Sequence, residues 1–137
     1  KMADPRGFVS FDIDHNESAK ILFIGQAKNA RTPFSFEDWS SKEPLPQSQW
    51  ERIIKEKINK CNFVVVLVGK NMASATGVVK EIRFAYEANV PVFGVYVDGA
   101  NATSTLPIGL PRNRTIDWDW EAIAKAVSQM MREGKNK

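Results

Sequence analysis

The sequence predicts an α/β domain in which a parallel β-sheet carries helices on both faces. Residues 63–68, Phe-Val-Val-Val-Leu-Val, are apolar without alternation, which is typical of a central parallel strand that is covered on both faces. Around this strand, four shorter strand patterns alternate with segments of helical periodicity, which indicates βαβ units with right-handed crossovers. We therefore predict a doubly wound, five-stranded parallel sheet in the flavodoxin-like order 2-1-3-4-5.

The first strand and helix lie close to the N-terminus. Residues 7–11, Gly-Phe-Val-Ser-Phe, predict a short strand, and a polar turn follows it. Asn16 is a candidate N-cap for a helix over residues 17–28. Apolar side chains recur in this helix, which predicts that they face the core: Ala19, Ile21, Leu22, Phe23 and Ile24.

The second strand and helix are separated by the longest predicted loop of this half. Residues 33–38 alternate as a strand, and residues 39–47 contain two prolines and predict a loop. Ser48 and Glu51 have the spacing of a capping box. We therefore expect the second helix to begin at Ser48 and its apolar stripe to reach Cys61.

The C-terminal half continues the alternation of helix and strand. A helix begins at Thr76, and residues 91–97 predict the fourth strand. Residues 98–114 are irregular and rich in Gly and Pro, and they lead to a short strand over residues 115–117. Asp119 is a candidate cap for the last helix. The apolar side of that helix is formed by Trp120, Ile123, Val127 and Met130.

Composition limits the classes of function. The 137 residues are 43% hydrophobic and 26% charged, which fits one domain over residues 7–133 with flexible termini at 1–6 and 134–137. The single cysteine can form no internal disulfide, and Cys and His do not cluster as at a metal site. No apolar run approaches the roughly 18 residues of a membrane span. We expect a cytoplasmic protein without a metal or a membrane segment.

The net charge of +3 does not indicate a nucleic-acid-binding protein. Lys and Arg are scattered, and no basic block stands out. Lys55, Lys57 and Lys60 share a polar helix face with Glu51 and Glu56, as on a solvated mixed face. We therefore expect no nucleic-acid partner.

Glu81 is the candidate site residue of the helix that follows the central strand. On a helical wheel it lies beside Gly77, Ala85 and Ala88, where a ligand could approach its carboxylate. In doubly wound sheets, ligands bind outside the carboxyl ends of the strands. The polar and aromatic residues expected to converge there are Asp12, Asp14, Asp38, Trp39, Asn71, Ser74 and Glu81.

Several doubly wound families lack support in these residues. The turn after the first strand has no glycine, so the fingerprint of a dinucleotide-binding Rossmann domain is absent. The hydroxyl-rich phosphate loop of flavodoxins is also missing from this turn. A response-regulator receiver needs an aspartate at the end of its third strand, where this chain has Val68, Gly69 and Lys70. A receiver-like binding module that works without phosphorylation remains as a third reading.

The motifs resemble the TIR-like domains of bacterial defence and signalling proteins, including the Thoeris-type TIR proteins. The resemblance spans residues 7 to about 98. It is carried by Phe8-Val9-Ser10-Phe11-Asp12, by residues 33–44 from Pro-Phe-Ser-Phe-Glu-Asp-Trp-Ser to Lys-Glu-Pro, by Trp50, by residues 65–69, and by Thr76-Gly-Val-Val-Lys-Glu-Ile82.

The resemblance implies an NAD⁺-cleaving enzyme with Glu81 as the catalytic carboxylate and NAD⁺ as a substrate rather than a cofactor. Its implied substrate contacts are Phe11, Asp12, Asp38, Trp39 and Ser74. The resemblance further implies assembly into a homo-oligomer through TIR–TIR contacts that include the loop at residues 40–49. In a defence system against phage, it also implies an effector protein that senses the nucleotide product.

A single carboxylate suits this chemistry. The nicotinamide of NAD⁺ is already cationic and leaves without a general acid, so the group that needs stabilisation is the oxocarbenium-like ribose. Capture by water would give ADP-ribose, whereas capture by an internal hydroxyl or by the adenine would give a cyclic isomer. The sequence leaves the product open.

Other readings of the same residues also remain open. Glu81 would be an ordinary surface residue if it paired with Lys80 or Arg83. Phe11 and Trp39 would be core residues, and Asp12 would only cap the first helix. A non-catalytic TIR scaffold that joins signalling proteins through its surface loops is the alternative function.

Overall fold

The computed structural model describes residues 4–37 and 45–134, and its centre is a parallel sheet. The strands run in the order β2-β1-β3-β4-β5, which confirms the predicted flavodoxin-like order. The strands are β1 (Arg6–Ser10), β2 (Ser35–Glu37), β3 (Phe63–Val68), β4 (Val92–Tyr96) and β5 (Thr115–Ile116). The helices are α1 (Glu17–Asn29), α2 (Gln47–Lys60), α3 (Thr76–Glu87) and α4 (Trp120–Glu133).

The sheet separates two apolar cores. Because side chains alternate along a strand, Val64, Val66 and Val68 of β3 face α2 and α3, whereas Val65 and Leu67 face α1 and α4. All six residues of β3 are buried. The helices therefore cover both faces, as predicted from the uninterrupted apolar run.

The buried face of α1 differs from the predicted face. Ile21 and Leu22 are 59% and 57% exposed, whereas Lys20 and Phe23 are buried. Four consecutive apolar residues span more than one side of a helix, so they cannot all face the sheet. The pattern identified the helix but not its orientation.

The start of α2 also differs from the prediction. The helix begins at Gln47, directly after Pro46, and no side-chain cap is formed. The amide Nε2 of Gln47 donates to Oε2 of Glu51 at 3.0 Å. The expected capping box at Ser48 is therefore absent, because the proline starts the helix one residue earlier.

Two strand boundaries and the cap of the last helix can also be compared with the prediction from the sequence. Strand β1 covers Arg6–Ser10 instead of residues 7–11, and β2 begins at Ser35 instead of residue 33, whereas its predicted last residue, Asp38, lies outside the described residues. Asp119 caps α4 as predicted, since its Oδ2 accepts a hydrogen bond from the backbone N–H of Ala122 at 3.0 Å. Within residues 4–37 and 45–134, no helix combines the length and the apolar character needed to cross a bilayer.

Candidate active site at the carboxyl edge of the sheet

Glu81 lies on α3 where this helix crosses the end of β1. Its side chain is buried, with 9% of its surface exposed. The hydroxyl of Ser10, the last residue of β1, donates a hydrogen bond to Oε1 of Glu81 at 2.6 Å. We use "carboxyl edge" for the side of the sheet where β1, β3 and β4 end at Ser10, Val68 and Tyr96.

The alternation of side chains along β1 explains the contact between Ser10 and Glu81. Phe8 belongs to the core beneath α2 and α3, and Ser10 points to the same face because it lies two residues further along the strand. Ser10 is paired with Val66 of β3 in the parallel register and is fully buried. Glu81 is buried on α3 and meets the hydroxyl of Ser10 at the carboxyl end of β1, whereas Arg6, the other polar residue of β1 on this face, lies at the opposite end of the strand.

The small neighbours of Glu81 do not form an open cleft as the helical wheel suggested. Ala85 is fully buried, and the ring of Trp50 lies against the position of Gly77, 3.9 Å from where a Cβ would stand. Glu81 is therefore enclosed on the helix side.

Burial raises the pKa of Glu81 to about 8, and the hydrogen bond from Ser10 opposes part of this rise. The reading of Glu81 as a surface ion-pair residue is excluded, because Lys80 pairs instead with Glu51 of α2 at 3.6 Å. In the described part of the chain, Ser10 is the only hydrogen-bond partner of the Glu81 carboxyl.

The second oxygen of this carboxyl remains approachable. Oε2 has no partner among residues 4–37 and 45–134, yet it is not one of the enclosed polar atoms without a partner. Those enclosed atoms are Oδ1 of Asn16 and Nε1 of Trp118. Within the described residues, Oε2 is thus unpaired but not fully enclosed.

Asp12 lies beyond the end of β1 and is bonded within its own turn. Its Oδ1 accepts the backbone N–H of Asp14 at 3.1 Å, and its Oδ2 lies 2.7 Å from Nδ1 of His15. Asp12 is buried, whereas the His15 side chain is 47% exposed. The described contacts therefore place an Asp–His pair at the carboxyl edge and do not join it to Glu81.

Phe11 packs on the opposite face from Glu81. It belongs to the core of α1 and α4, and Nζ of Lys20 lies 5.5 Å from the centre of its ring. This position agrees with the alternative reading of Phe11 as a core residue. The described contacts do not bring its ring to the Glu81 carboxyl.

Ser74 lies between β3 and α3, in a single 3₁₀ turn over Met72–Ser74. It is exposed, and its hydroxyl donates to the backbone oxygen of Asn71 at 3.1 Å. Asp38, Trp39 and residues 40–44 of the predicted loop at 40–49 lie outside the described residues. Within residues 4–37 and 45–134, no group of three or more His, Cys, Asp or Glu side chains could hold a metal ion.

Sequence reasoning did not select Ser10 as a site residue. The signal was present, because a serine replaces the apolar residue expected at the last inward position of a buried strand. A buried hydroxyl at that position requires a hydrogen-bond partner. The topology supplies Glu81 as this partner.

The chain was then compared with known proteins. Residues 8–102, more than half of the chain, match the family model described as "Thoeris protein ThsB, TIR-like domain". The chain belongs to this family. The TIR-like domain has no match among curated proteins.

Two solved structures have the same fold as this TIR-like domain. A prokaryotic SEFIR domain is 13% identical and has a TM-score of 0.55. This match covers 97% of this chain and 94% of the SEFIR chain. The TIR domains of the activated Roq1 resistosome, which recognises the pathogen effector XopQ, are 18% identical with a TM-score of 0.50. That match covers 72% of this chain and 60% of the Roq1 chain, and identities this low establish the fold alone.

Proposed function

We propose that this TIR-like domain cleaves NAD⁺ between nicotinamide and ribose, with Glu81 as its catalytic carboxylate. The observation that carries the proposal is the Glu81 carboxyl itself. It is buried at the carboxyl edge, fixed through Oε1 by Ser10 and approachable at Oε2. A carboxylate in a water-poor site, held by a neutral donor, interacts strongly with a cation that develops beside it.

The chemical step needs no acid. The bond between C1′ of the ribose and the nicotinamide nitrogen breaks, and its electron pair neutralises the ring, which leaves as nicotinamide. The remaining oxocarbenium ion faces the Glu81 carboxylate. Water then adds to C1′ and releases a proton to give ADP-ribose, or an internal hydroxyl or the adenine adds to give a cyclic isomer.

This role requires the ionised form of Glu81. With its pKa near 8, most of the carboxyl is protonated at pH 7 in the ligand-free domain. The cationic nicotinamide of NAD⁺ beside Oε2 would favour the carboxylate, because an opposite charge within a few ångströms lowers the pKa of an acid. Substrate binding and ionisation of Glu81 would thus be coupled.

The remaining substrate contacts belong to the proposal as well. Phe11, Asp12, Asp38, Trp39 and Ser74 would contact parts of NAD⁺ other than the ribose that faces Glu81. Polar contacts would come from the carboxylates and the serine, and the aromatic rings would contact the nicotinamide and the adenine.

The proposal extends to assembly and biological role, which the family membership supports. In this proposal the domain forms a homo-oligomer through TIR–TIR contacts, and the loop at residues 40–49 of one copy completes the site of its neighbour. The reaction would serve anti-phage defence in the cytoplasm. A separate effector protein would sense the nucleotide product.

The test is release of nicotinamide from NAD⁺ by the purified protein at high concentration, which favours assembly. Release that Glu81→Gln abolishes, while Glu87→Gln on the exposed end of α3 retains it, supports the proposal. The mass of the co-product separates hydrolysis from cyclisation. If Glu81→Gln releases nicotinamide at the rate of the unmodified protein, Glu81 is not the catalytic group.

A non-catalytic scaffold is the second candidate, and the surface of α1 favours it. Ile21 and Leu22 are exposed apolar side chains next to each other on this helix, although most exposed helix positions are polar. A scaffold would self-associate without consuming NAD⁺. The absence of nicotinamide release by the assembled protein would support this function.

A further inference from the structure

The hydroxyl of Ser10 is buried and hydrogen-bonded at the end of a strand. Ser10 is the last residue of β1, and its neighbour across the ladder is Val66 of the central strand β3. Its side chain has no exposed surface. Oε1 of Glu81, 2.6 Å away, is the acceptor that the described residues offer to this hydroxyl.

This hydrogen bond fixes the orientation of the Glu81 carboxyl. With Oε1 bound to the strand, the carboxyl cannot rotate freely, and Oε2 is the oxygen directed away from the contact. Because Oε2 has no partner in the described ranges and is not enclosed, it is the oxygen that a ligand would meet.

The same hydrogen bond favours the negative charge of the carboxyl. A donor that faces a carboxylate stabilises the ionised form relative to the protonated form. Ser10 provides this effect inside an apolar core, where burial acts in the opposite direction.

Among residues 4–37 and 45–134, no cation is paired with the Glu81 carboxyl in place of Ser10. The strands beneath α3 contribute no charged side chain near Glu81, because β3 and β4 carry none and Arg6 lies at the opposite end of β1. The carboxylate of Asp12 is bonded to His15. Four cations of α2 and α3 contact other groups: Lys80 pairs with Glu51, Lys57 pairs with Glu37, and Lys55 and Arg83 lie over the ring of Phe84.

We propose that Ser10 is a positioning residue for NAD⁺ cleavage, which orients the Glu81 carboxyl and keeps it ionisable in the working pH range. The inference rests on the proposed function of Glu81. It assigns Ser10 a role that acts through Glu81 without contact with the reacting atoms.

The first test follows the ionisation of Glu81 directly, without substrate. Carbon-13 NMR of labelled protein would record the Glu81 carboxyl signal against pH, and its disappearance in Glu81→Gln would assign it. Ser10→Ala should move the titration midpoint to higher pH, because it removes the donor and leaves the burial. Ser128→Ala on the exposed side of α4 is the matched control and should leave the midpoint unchanged.

The second test follows the reaction. In Ser10→Ala, kcat/KM for NAD⁺ should fall about 3- to 10-fold at pH 7 and recover above the new midpoint. Ser10→Thr retains a hydroxyl and should restore the original pH profile. A loss of equal size at every pH would indicate a merely structural role and would overturn the inference.

The two proposals fail in different ways. If Ser10→Ala leaves the NMR midpoint of Glu81 unchanged while nicotinamide release continues, the role of Ser10 is refuted and the proposed function stands. If the midpoint moves but the unmodified protein releases no nicotinamide, the coupling exists and its catalytic use is refuted.

Discussion

Asn16 and Asp98 join two turns at the carboxyl edge, since Nδ2 of Asn16 donates to Oδ2 of Asp98 at 2.5 Å. Asn16 precedes α1, and Asp98 follows β4 with a positive φ of 52°. Asn16 was predicted as the N-cap of α1, but its side chain makes no capping hydrogen bond. It ties the helix to the opposite turn instead.

Asn16→Ala should lower the free energy of unfolding by about 1–3 kcal/mol, because it removes a buried amide and leaves the Asp98 carboxylate without this donor. Urea denaturation would measure the change. Asn29→Ala, at the exposed end of α1, is the control and should change stability by no more than about 0.5 kcal/mol. Equal stability of the Asn16 variant and the control would contradict the role of this contact.

Two Gly→Ala substitutions should have opposite signs. A Cβ at Gly69 would lie 2.5 Å from both Nδ2 and Oδ1 of Asn16, so Gly69→Ala should destabilise the fold by about 1–3 kcal/mol. A Cβ at Gly25 of α1 would meet nothing within 4 Å. Gly25→Ala should therefore stabilise the protein by roughly 0.5–1 kcal/mol, the helix preference of alanine over glycine. Thermal unfolding of both variants would decide the signs.

The free energy of unfolding should decrease as the pH rises, because of Glu81. Its pKa rises from an ordinary 4.5 to about 8 in the fold, so between these values the folded chain holds a proton that the unfolded chain has lost. Below about pH 4.5, Glu81 is protonated in both states and does not lower the free energy of unfolding. As the pH rises from there to about 8, the free energy of unfolding decreases by up to about 1.4 kcal/mol per pH unit. Urea denaturation at a series of pH values would measure this slope.

Glu81→Gln removes the titrating group and should flatten that slope. Glu87→Gln removes an exposed carboxylate of the same helix and should retain it. A slope that survives in the Glu81 variant would show that another group titrates in this window.

Binding of NAD⁺ should release protons at pH 7. The proposed site needs Glu81 as a carboxylate, and the ligand-free carboxyl is mostly protonated at this pH. Calorimetric titration in buffers of different ionisation enthalpy would count the released protons. Glu81→Gln should bind, if at all, without this buffer dependence. Proton uptake by the unmodified protein would be inconsistent with the proposed mechanism.

The central elements of the fold could be predicted from the sequence because their patterns admit one arrangement. Residues 63–68 are apolar at every position, and such a run is stable only when both faces are covered. Asp119 was recognised as a helix cap because capping depends on local chemistry. Neither prediction required knowledge of distant contacts.

The errors arose where tertiary contacts choose between local alternatives. The apolar run in α1 could face the core in more than one orientation, and packing buried Lys20 and exposed Ile21. At the site, Glu81 was selected from its position on the helix and from the family resemblance, but its partner Ser10 is 71 residues away in sequence. A pairing over that distance depends on how α3 crosses β1, which local patterns do not specify.

The separation of the two cores makes the domain two-sided. Glu81 and Ser10 lie on the face covered by α2 and α3, whereas the exposed Ile21 and Leu22 belong to a helix on the other face. In the described part of the chain, these two cores lie on opposite faces of the sheet. Under the proposed function, substitutions on the outer surface of α1 would change association between copies of the chain and leave the surroundings of Glu81 constant. Association and chemistry could then be tuned separately.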